Sequence, residues 1–178
     1  QYIEHILIIM TNKRVMLDLI SSTNQLRVMS FLAKLSDREL HEREIARRIG
    51  ISYGSANRVL NELFADGILT RRRVGKMLFY SFNSTDPLAK AFKIFVSVSL
   101  LRALIKNLKE CASEIVLYGS CARGEDVSDS DMDLFVVSEE KEKALAAIEA
   151  YKFRRYFEDI RIEPVVLSPR ELLKSEKT

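Results

Sequence analysis

The chain has 178 residues, of which 47% are hydrophobic, with 28 Lys and Arg against 25 Asp and Glu. This length suits one large domain or two small ones, and the hydrophobic fraction argues against a disordered protein. The apolar stretch at residues 3–10 is interrupted by Glu4 and His5. It is shorter than the roughly 18 residues that cross a bilayer. We therefore expect a packing segment, no membrane association and a cytoplasmic protein.

The charge is distributed unevenly along the chain. Residues 1–110 carry 18 Lys and Arg against 10 Asp and Glu, net +8, whereas residues 111–178 carry 10 against 15, net −5. A basic half favours a polyanionic partner, and an acidic half suits divalent cations. Cys111 and Cys121 lack the spacing of a zinc site, so we expect reduced thiols. The asymmetry predicts two domains.

Apolar residues at helical spacing predict three helices in the first 65 residues, over 24–35, 41–49 and about 53–65. Gly50 is placed to end the second helix and Ser52 to cap the third. The short turn between them is typical of a helix-turn-helix, in which the third helix reads the DNA major groove. The alternative is a plain three-helix core with a polar outer face. The predicted reading face comprises Tyr53, Ser55, Asn57, Arg58 and Asn61, opposite an inward face of Ala56, Val59, Leu60, Leu63 and Phe64.

Residues 68–82 predict a β-hairpin with a basic tip at Gly75. Such a charge run is most often a solvated face. Here it follows a predicted reading helix, at the position of a wing, which favours contact with DNA phosphates. Residues 25–82 resemble the winged-helix transcription regulators of the ArsR and MarR type, and the resemblance implies binding of double-stranded DNA, commonly as a dimer. The cations are Arg71, Arg72, Arg73 and Lys76.

A long apolar helix is predicted to begin at Asp86-Pro87 and to continue to about Lys109. Its broad apolar surface exceeds what one small domain easily buries. We therefore expect this helix and the N-terminal segment to form a homodimer interface.

The C-terminal half contains Gly119-Ser120, ten intervening residues, and then Asp131-Met132-Asp133 at the start of an apolar run. Alternate residues of a strand point the same way, so Asp131 and Asp133 form a pair of repelling carboxylates that a divalent cation would neutralise. Gly119 leaves space for a phosphate, and Ser120 adds a hydroxyl donor. An EF-hand loop is excluded because Leu134 stands where that loop requires glycine.

Arg123 lies between these two motifs, and two roles are open for it. It could bind a triphosphate oxygen, or it could brace the loop by pairing with Asp126 or Asp129.

The Gly-Ser, ten residues, Asp-x-Asp pattern in a strand–helix–strand context resembles the signature of the DNA polymerase beta superfamily of nucleotidyltransferases. The match is closest to its minimal nucleotidyltransferase branch and covers residues 111–172. The resemblance implies two Mg²⁺ ions, ATP or another nucleoside triphosphate as substrate, and a third carboxylate on a later strand. It also makes a small helical toxin-type protein partner possible.

Glu163, on a strand predicted over residues 160–167, occupies the position of that third carboxylate. It replaces the more usual Asp, and Pro164 follows it, which predicts an edge position or a local irregularity. Glu158 and Asp159 are lesser candidates. The site is therefore open to two interpretations, an active enzyme with Asp131, Asp133 and Glu163 as metal-binding catalytic residues, or a degenerate domain that senses nucleotide.

Together these patterns predict an α+β protein. Residues 1–86 form a winged-helix DNA-binding domain, residues 87–110 a linking and dimerising helix, and residues 111–178 a nucleotidyltransferase-like mixed sheet with flanking helices. The predicted function is Mg²⁺-dependent transfer of a nucleotidyl group, most simply AMP from ATP, to an unknown acceptor by a DNA-binding protein. The alternatives are a nucleotide-sensing transcription regulator and a structural module with neither activity.

Overall fold

The computed structural model describes residues 23–153 and 157–175. The apolar segment at residues 3–10, which we expected to contribute to a dimer interface, lies outside these ranges. The described chain is a mixture of helices and strands, which agrees with the predicted α+β class.

Three helices form most of the N-terminal part, close to where the apolar periodicity predicts them. They are α1 (Asn24–Lys34), α2 (Glu42–Ile49) and α3 (Tyr53–Ala65). The Ser52 hydroxyl accepts a hydrogen bond from the backbone N–H of Ser55 at 3.2 Å, so the predicted N-cap of α3 is confirmed. The predicted end of α2 at Gly50 is confirmed as well, with φ of +66°.

A small antiparallel sheet of order β1-β3-β2 packs beside these helices. It consists of β1 (Leu40–His41), β2 (Leu69–Val74) and β3 (Met77–Phe82), and β2 pairs with β3 as the predicted hairpin. The core between helices and sheet is formed by side chains that are almost fully buried. Among these are Val28, Phe31, Leu32, Ile45, Leu60, Leu63 and Tyr80.

The inward position predicted for Phe64 is wrong. Its side chain is 36% exposed, and the guanidinium of Arg71 lies 4.0 Å above its ring. The helical period places Phe64 at the margin of the buried stripe. The guanidinium of Arg71, from β2, covers the Phe64 ring at the position where a core side chain would otherwise pack.

The long helix α4 (Pro87–Leu108) joins the two parts of the chain. The Asp86 carboxylate accepts hydrogen bonds from the N–H groups of Leu88 and Ala89, so the predicted start at Asp86-Pro87 is confirmed. Ala89 belongs to the N-terminal core, whereas Val96 and the residues after it belong to the C-terminal core. None of the described helices combines the length and apolar character that crossing a membrane requires.

The apolar surface of α4, which we expected to exceed what one small domain buries, is mostly buried in two cores of the same chain, although Leu88 is 64% exposed. Val96, Leu100, Leu101, Leu104 and Leu108 are at most 1% exposed. Because α4 is shared by two cores, each turn finds apolar neighbours within the same chain. This surface therefore gives no support to a homodimer.

A three-stranded mixed sheet of order β4-β5-β6 forms the centre of the C-terminal part. Strand β5 pairs antiparallel with β4 and parallel with β6. The predicted edge position of the strand containing Pro164 is confirmed, since β6 is a described edge of the sheet. The elements are β4 (Ala112–Leu117), α5 (Gly119–Arg123), β5 (Met132–Ser138), α6 (Lys141–Glu149), β6 (Ile162–Leu167) and α7 (Pro169–Ser175).

Candidate active site and nucleic-acid interface

The two aspartates lie at the start of the central strand, β5. Met132 and Leu134 are fully buried, whereas Asp131 and Asp133 on the alternate positions are only partly buried. Strand alternation therefore directs both carboxylates away from the C-terminal core and towards the same side. This arrangement is the one that the Asp-x-Asp spacing predicts.

Glu163 lies beside Asp133. The two residues are register partners of the parallel strands β5 and β6, so their side chains leave the same face of the sheet on adjacent strands. Glu163 is exposed. The structure thus brings together two of the three predicted metal ligands from residues 30 positions apart in the sequence.

Gly119 lies directly against Asp133. It has φ of +69°, and a Cβ atom built on its backbone would overlap the Asp133 carboxylate. The backbone N–H of Tyr118 donates to the carbonyl of Asp133 at 3.0 Å, which fixes the approach of the two segments. Only glycine combines this backbone conformation with the missing side chain. The Gly-Ser turn and the Asp-x-Asp strand therefore form one site.

Asp131 is turned towards a cation on the neighbouring segment. Its Oδ1 atom lies 3.5 Å from Nε of Arg161, and both side chains are solvent-accessible, at 42% and 81%. An exposed pair of this kind is weak and exchanges readily with solvent. Across residues 23–153 and 157–175, no three His, Cys, Asp or Glu side chains converge as a set that could hold a metal ion.

The residues present nevertheless have the chemistry that a magnesium–nucleotide site requires. Magnesium prefers carboxylate oxygens and is commonly held by only one or two of them together with phosphate oxygens of the substrate. Asp133 and Glu163 provide adjacent carboxylates, and Asp131 lies immediately before β5, two residues from Asp133. The space that a side chain of Gly119 would fill is occupied by the Asp133 carboxylate, so the room for a phosphate that the sequence predicted at this position is taken by a carboxylate. The donor set fits the cation, and Gly119 brings the turn against it.

Tyr118 is a residue of this site that the sequence did not single out. Partial burial raises the pKa of its hydroxyl, and the negative charges of Asp133 and Glu163 raise it further. The hydroxyl thus stays protonated near the carboxylates, and Tyr118 as a whole is 38% exposed. Its position immediately before Gly119 is the only sequence signal that could have identified it.

Arg123 takes neither of the two bracing partners that its position suggests. Its Nε atom donates to Glu125 at 2.8 Å, whereas Asp126 pairs with Lys34 and Asp129 with Arg38. The predicted brace to Asp126 or Asp129 is therefore wrong. Its guanidinium is 57% exposed, so the other predicted role, contact with a triphosphate oxygen, stays a prediction.

Several residues of the predicted DNA-reading face form side-chain hydrogen bonds with other residues of the chain. Tyr53 and Asn57 both donate to the carboxylate of Glu42, Asn57 at 3.0 Å. Tyr53 is 46% exposed, and the Arg58 side chain is 74% exposed, 4.0 Å from Glu62. Ser55 bonds to the cap residue Ser52. The face of α3 that reaches solvent therefore centres on Tyr53 and Arg58, and Asn57 is half-buried against α2.

The predicted wing presents its cations on two sides. Arg71 donates to Asn61 at 2.8 Å and Arg73 to the carbonyl of Gly75 at 2.9 Å. Arg72, on the opposite side of β2, pairs with Glu39 instead. Lys76 is exposed in the turn between β2 and β3. The three consecutive arginines therefore cannot all face one partner, because alternation along a strand separates them.

Comparison with known proteins gives one match. Neither the curated proteins nor the solved structures contain a protein that matches the chain. Residues 99–177 match the family model described as nucleotidyltransferase domain. This span covers the second half of α4, the mixed sheet and the carboxylates described above. The similarity supports a nucleotidyl-transfer function for the C-terminal part of the chain.

Proposed function

We propose that this protein is a magnesium-dependent nucleotidyltransferase, which transfers a nucleotidyl group, most simply AMP from ATP, and carries an N-terminal winged-helix module for double-stranded DNA. The observation that carries the enzymatic part is the juxtaposition of Gly119 with Asp133, beside Glu163. Two adjacent carboxylates held against a backbone turn suit the cation that accompanies a triphosphate. A purely structural strand would not benefit from two neighbouring negative charges.

In this reaction the chain orients the triphosphate and accepts a proton. Gly119 lets the turn lie against Asp133, and Ser120 donates its hydroxyl to a phosphate oxygen. Asp131, Asp133 and Glu163 are the residues that would hold two Mg²⁺ ions, which supply positive charge to the triphosphate and the departing pyrophosphate. Glu163 accepts the proton of the acceptor hydroxyl, whose oxygen bonds to the α-phosphorus as the bond to pyrophosphate breaks.

Calorimetric titration of the full chain with ATP, with and without Mg²⁺, tests the site. We expect Mg²⁺-dependent binding that Asp131→Asn/Asp133→Asn abolishes. Glu142→Gln/Glu149→Gln is the matched control, because it also removes two negative charges, from exposed positions of α6 that have no assigned role in the site. Equal loss in both variants, or metal-independent binding, would reject the proposal. Release of pyrophosphate and transfer of a labelled nucleotide then test the reaction itself.

A specific observation favours a second candidate, a DNA-binding regulator that senses nucleotide without transferring it. The three carboxylates do not converge among the described residues, and Glu163 precedes a proline in an edge strand. Saturable ATP binding without pyrophosphate release, at any acceptor tested, would favour this candidate over the enzyme.

The DNA-binding part is supported by the arrangement of α1, α2, α3 and the hairpin. The order of these elements is that of a winged helix, with an exposed helix α3 beside a hairpin that carries four cations. Such a surface gains affinity by releasing counterions from phosphates. A homodimer, a small helical toxin-type partner and a cytoplasmic location remain predictions from the sequence.

A further inference from the structure

A buried ionic cluster joins the N-terminal helices to the C-terminal part of the chain. It consists of Lys34 at the end of α1, Lys93 in α4 and Asp126, whose side chains are 8%, 1% and 1% exposed. Lys34 Nζ lies 2.7 Å from Asp126 Oδ2, and Lys93 Nζ lies 3.7 Å from Oδ1. Asp126 is therefore anchored to two helices by charges that are excluded from water. Removal of one partner of such a cluster leaves an uncompensated buried charge.

Hydrogen bonds fix the position of Asp126 further. The Ser36 hydroxyl donates to its backbone carbonyl at 3.0 Å, and Lys93 donates to the same carbonyl and, at 2.9 Å, to Ser36. Lys34 also donates to the Ser97 hydroxyl at 2.7 Å. Both the main chain and the side chain of Asp126 are thus held by residues from outside the C-terminal sheet.

A second, exposed set of contacts extends this attachment. Asp37 accepts hydrogen bonds from the backbone N–H of Ser128, at 2.8 Å, and from its hydroxyl, at 3.0 Å. Arg38 donates to the Ser128 hydroxyl at 2.9 Å and to Asp129 at 3.1 Å. Residues 34–38, immediately after the body of α1, therefore hold residues 126–129 over their whole length.

The segment held in this way is the connecting loop, residues 124–131, which runs from α5 to the first metal-binding aspartate. At its start, the N–H of Glu125 donates to the carbonyl of Ser120 at 2.9 Å. At its end, the thiol of Cys121 donates to the carbonyl of Asp131 at 3.5 Å, and Lys34 Nζ lies 3.8 Å from the same sulfur. The loop thus links Ser120, the proposed phosphate-binding residue, to Asp131, and Lys34 contacts both Asp126 in the loop and Cys121 in α5.

The loop also approaches α4 too closely to shift without breaking this attachment. Gly124 has φ of +68°, and a Cβ at this position would overlap the backbone carbonyl of Lys90. The backbone of the loop is therefore packed against α4 on one side and bonded to residues 34–38 on the other.

We infer that Lys34, a residue of the N-terminal helices, is a positioning residue for the nucleotide site, which acts through Asp126 to hold the connecting loop so that Ser120 and Asp131 keep their places. The inference rests on the proposed function. A loop that adopts the binding geometry only part of the time lowers the apparent affinity by that fraction. A residue of the N-terminal helices then contributes to the geometry of the nucleotide site in the C-terminal part of the chain.

The experiment uses the full chain and the variants Lys34→Met, Lys34→Arg, Asp126→Asn and Lys34→Met/Asp126→Asn. We expect Lys34→Met to weaken Mg²⁺–ATP binding about tenfold, as for a loop ordered about one-tenth of the time, and to increase amide hydrogen exchange across residues 124–131 before nucleotide is added. Lys34→Arg, which keeps the cation, restores much of the affinity, and the double variant binds no more weakly than the single one. Lys141→Met is the control, because its ion pair with Glu171 is remote from the loop in sequence.

Three outcomes decide the inference. A folded Lys34→Met chain with wild-type ATP affinity and loop exchange overturns it, since the cluster would then act on stability alone. If Lys34→Met does not fold, Asp126→Asn takes its place, because it removes the charge that pairs with Lys34 and keeps the shape of the side chain, and unchanged ATP affinity and loop exchange there overturn the inference. If the wild-type chain binds no ATP while loop exchange still depends on Lys34, the proposed function fails and only the positioning of the loop stands.

Discussion

Gly119 lies against the Asp133 carboxylate in a backbone conformation that side chains disfavour. A pattern search finds a glycine at this position, but only the structure shows which group occupies the space beside it. The adjoining segment brings Glu163 into register with Asp133. One residue without a side chain therefore allows the Gly119-Ser120 turn and the strand that carries Asp133 to meet.

We predict that Gly119→Ala destabilises the fold and abolishes nucleotide binding. A positive φ costs an alanine about 1–2 kcal/mol, and here the added methyl also displaces the Asp133 carboxylate. Gly67→Ala is the matched control, since Gly67 has φ of +76° with open space at its Cβ position. Urea unfolding and ATP titration separate the two effects. Equal loss of ATP affinity in both variants would contradict the assigned contact.

Glu171 provides a pH-dependent prediction. The hydrogen bond from Lys141, then those from Ser168, lower the pKa of this carboxyl from 4.5 to about 2. Because the folded pKa lies below the unfolded one, the stabilisation is present above about pH 4.5 and is lost as the pH falls towards 2.

The difference in melting temperature between the wild type and Glu171→Gln should therefore shrink between about pH 6 and about pH 2.5. The effect is small because Glu171 is solvent-accessible. Lys141→Met is the control, since it removes the first of these hydrogen bonds and should reduce the same pH dependence. A difference that does not vary with pH would show that the Lys141 and Ser168 contacts do not persist in solution.

At the scale of the element, strand β2 distributes three consecutive arginines over two faces. Arg71 and Arg73 lie on one side, where Arg71 contacts α3 through Asn61 and Phe64. Arg72 lies on the other side, held by Glu39 and beside the ring of Phe79. The charge run in the sequence is thus divided between the two faces of β2. Only Arg71 and Arg73 lie on the face that is directed towards α3.

We predict that Arg73→Ala weakens binding to all DNA sequences and lowers the salt dependence of log K by about one phosphate contact. Arg72→Ala should change it less, because Glu39 already neutralises this cation. Glu39→Gln should strengthen DNA binding, since it releases Arg72 and removes a negative charge. Fluorescence anisotropy at several salt concentrations measures these slopes. Equal slopes for the wild type and Arg73→Ala would remove the hairpin from the interface.

At the scale of the whole molecule, helix α4 ties the two halves together. Its first turns pack in the N-terminal core through Ala89, and Val96 to Leu108 pack in the C-terminal core. Phe92 contacts both cores. With the buried cluster of Lys34, Lys93 and Asp126 across the same junction, neither half keeps its core when the other unfolds.

We therefore predict a single cooperative unfolding transition for the chain, although its sequence divides into two domains. Leu104→Ala, which empties a fully buried site in the C-terminal core, should destabilise the chain by about 2–5 kcal/mol. Amide hydrogen exchange should then increase equally in α1 and in β5. Two separate calorimetric transitions, or faster exchange confined to β5, would show that the halves unfold independently.

The sequence by itself determined the elements and the position of the candidate site. Hydrophobic period and capping residues such as Ser52 and Asp86 act within a few positions, so the bounds of α3 and α4 follow from neighbouring residues. The association of Gly119-Ser120 with Asp131 and Asp133 is likewise predicted by the spacing of ten residues between the two motifs. These predictions do not depend on which distant segments contact each other in the fold.

Only the tertiary structure decided how distant segments meet. It buried most of the apolar surface of α4 in two cores of the same chain, whereas the sequence predicted that a partner covers it. In the fold, Arg123 pairs with Glu125, and Asp126 pairs with Lys34, which lies 92 residues away in the sequence. The sequence does not predict which opposite charge a charged residue will contact, because ion pairing depends on the packing of whole helices. For this reason the connecting loop and its attachment to α1 emerged only from the fold.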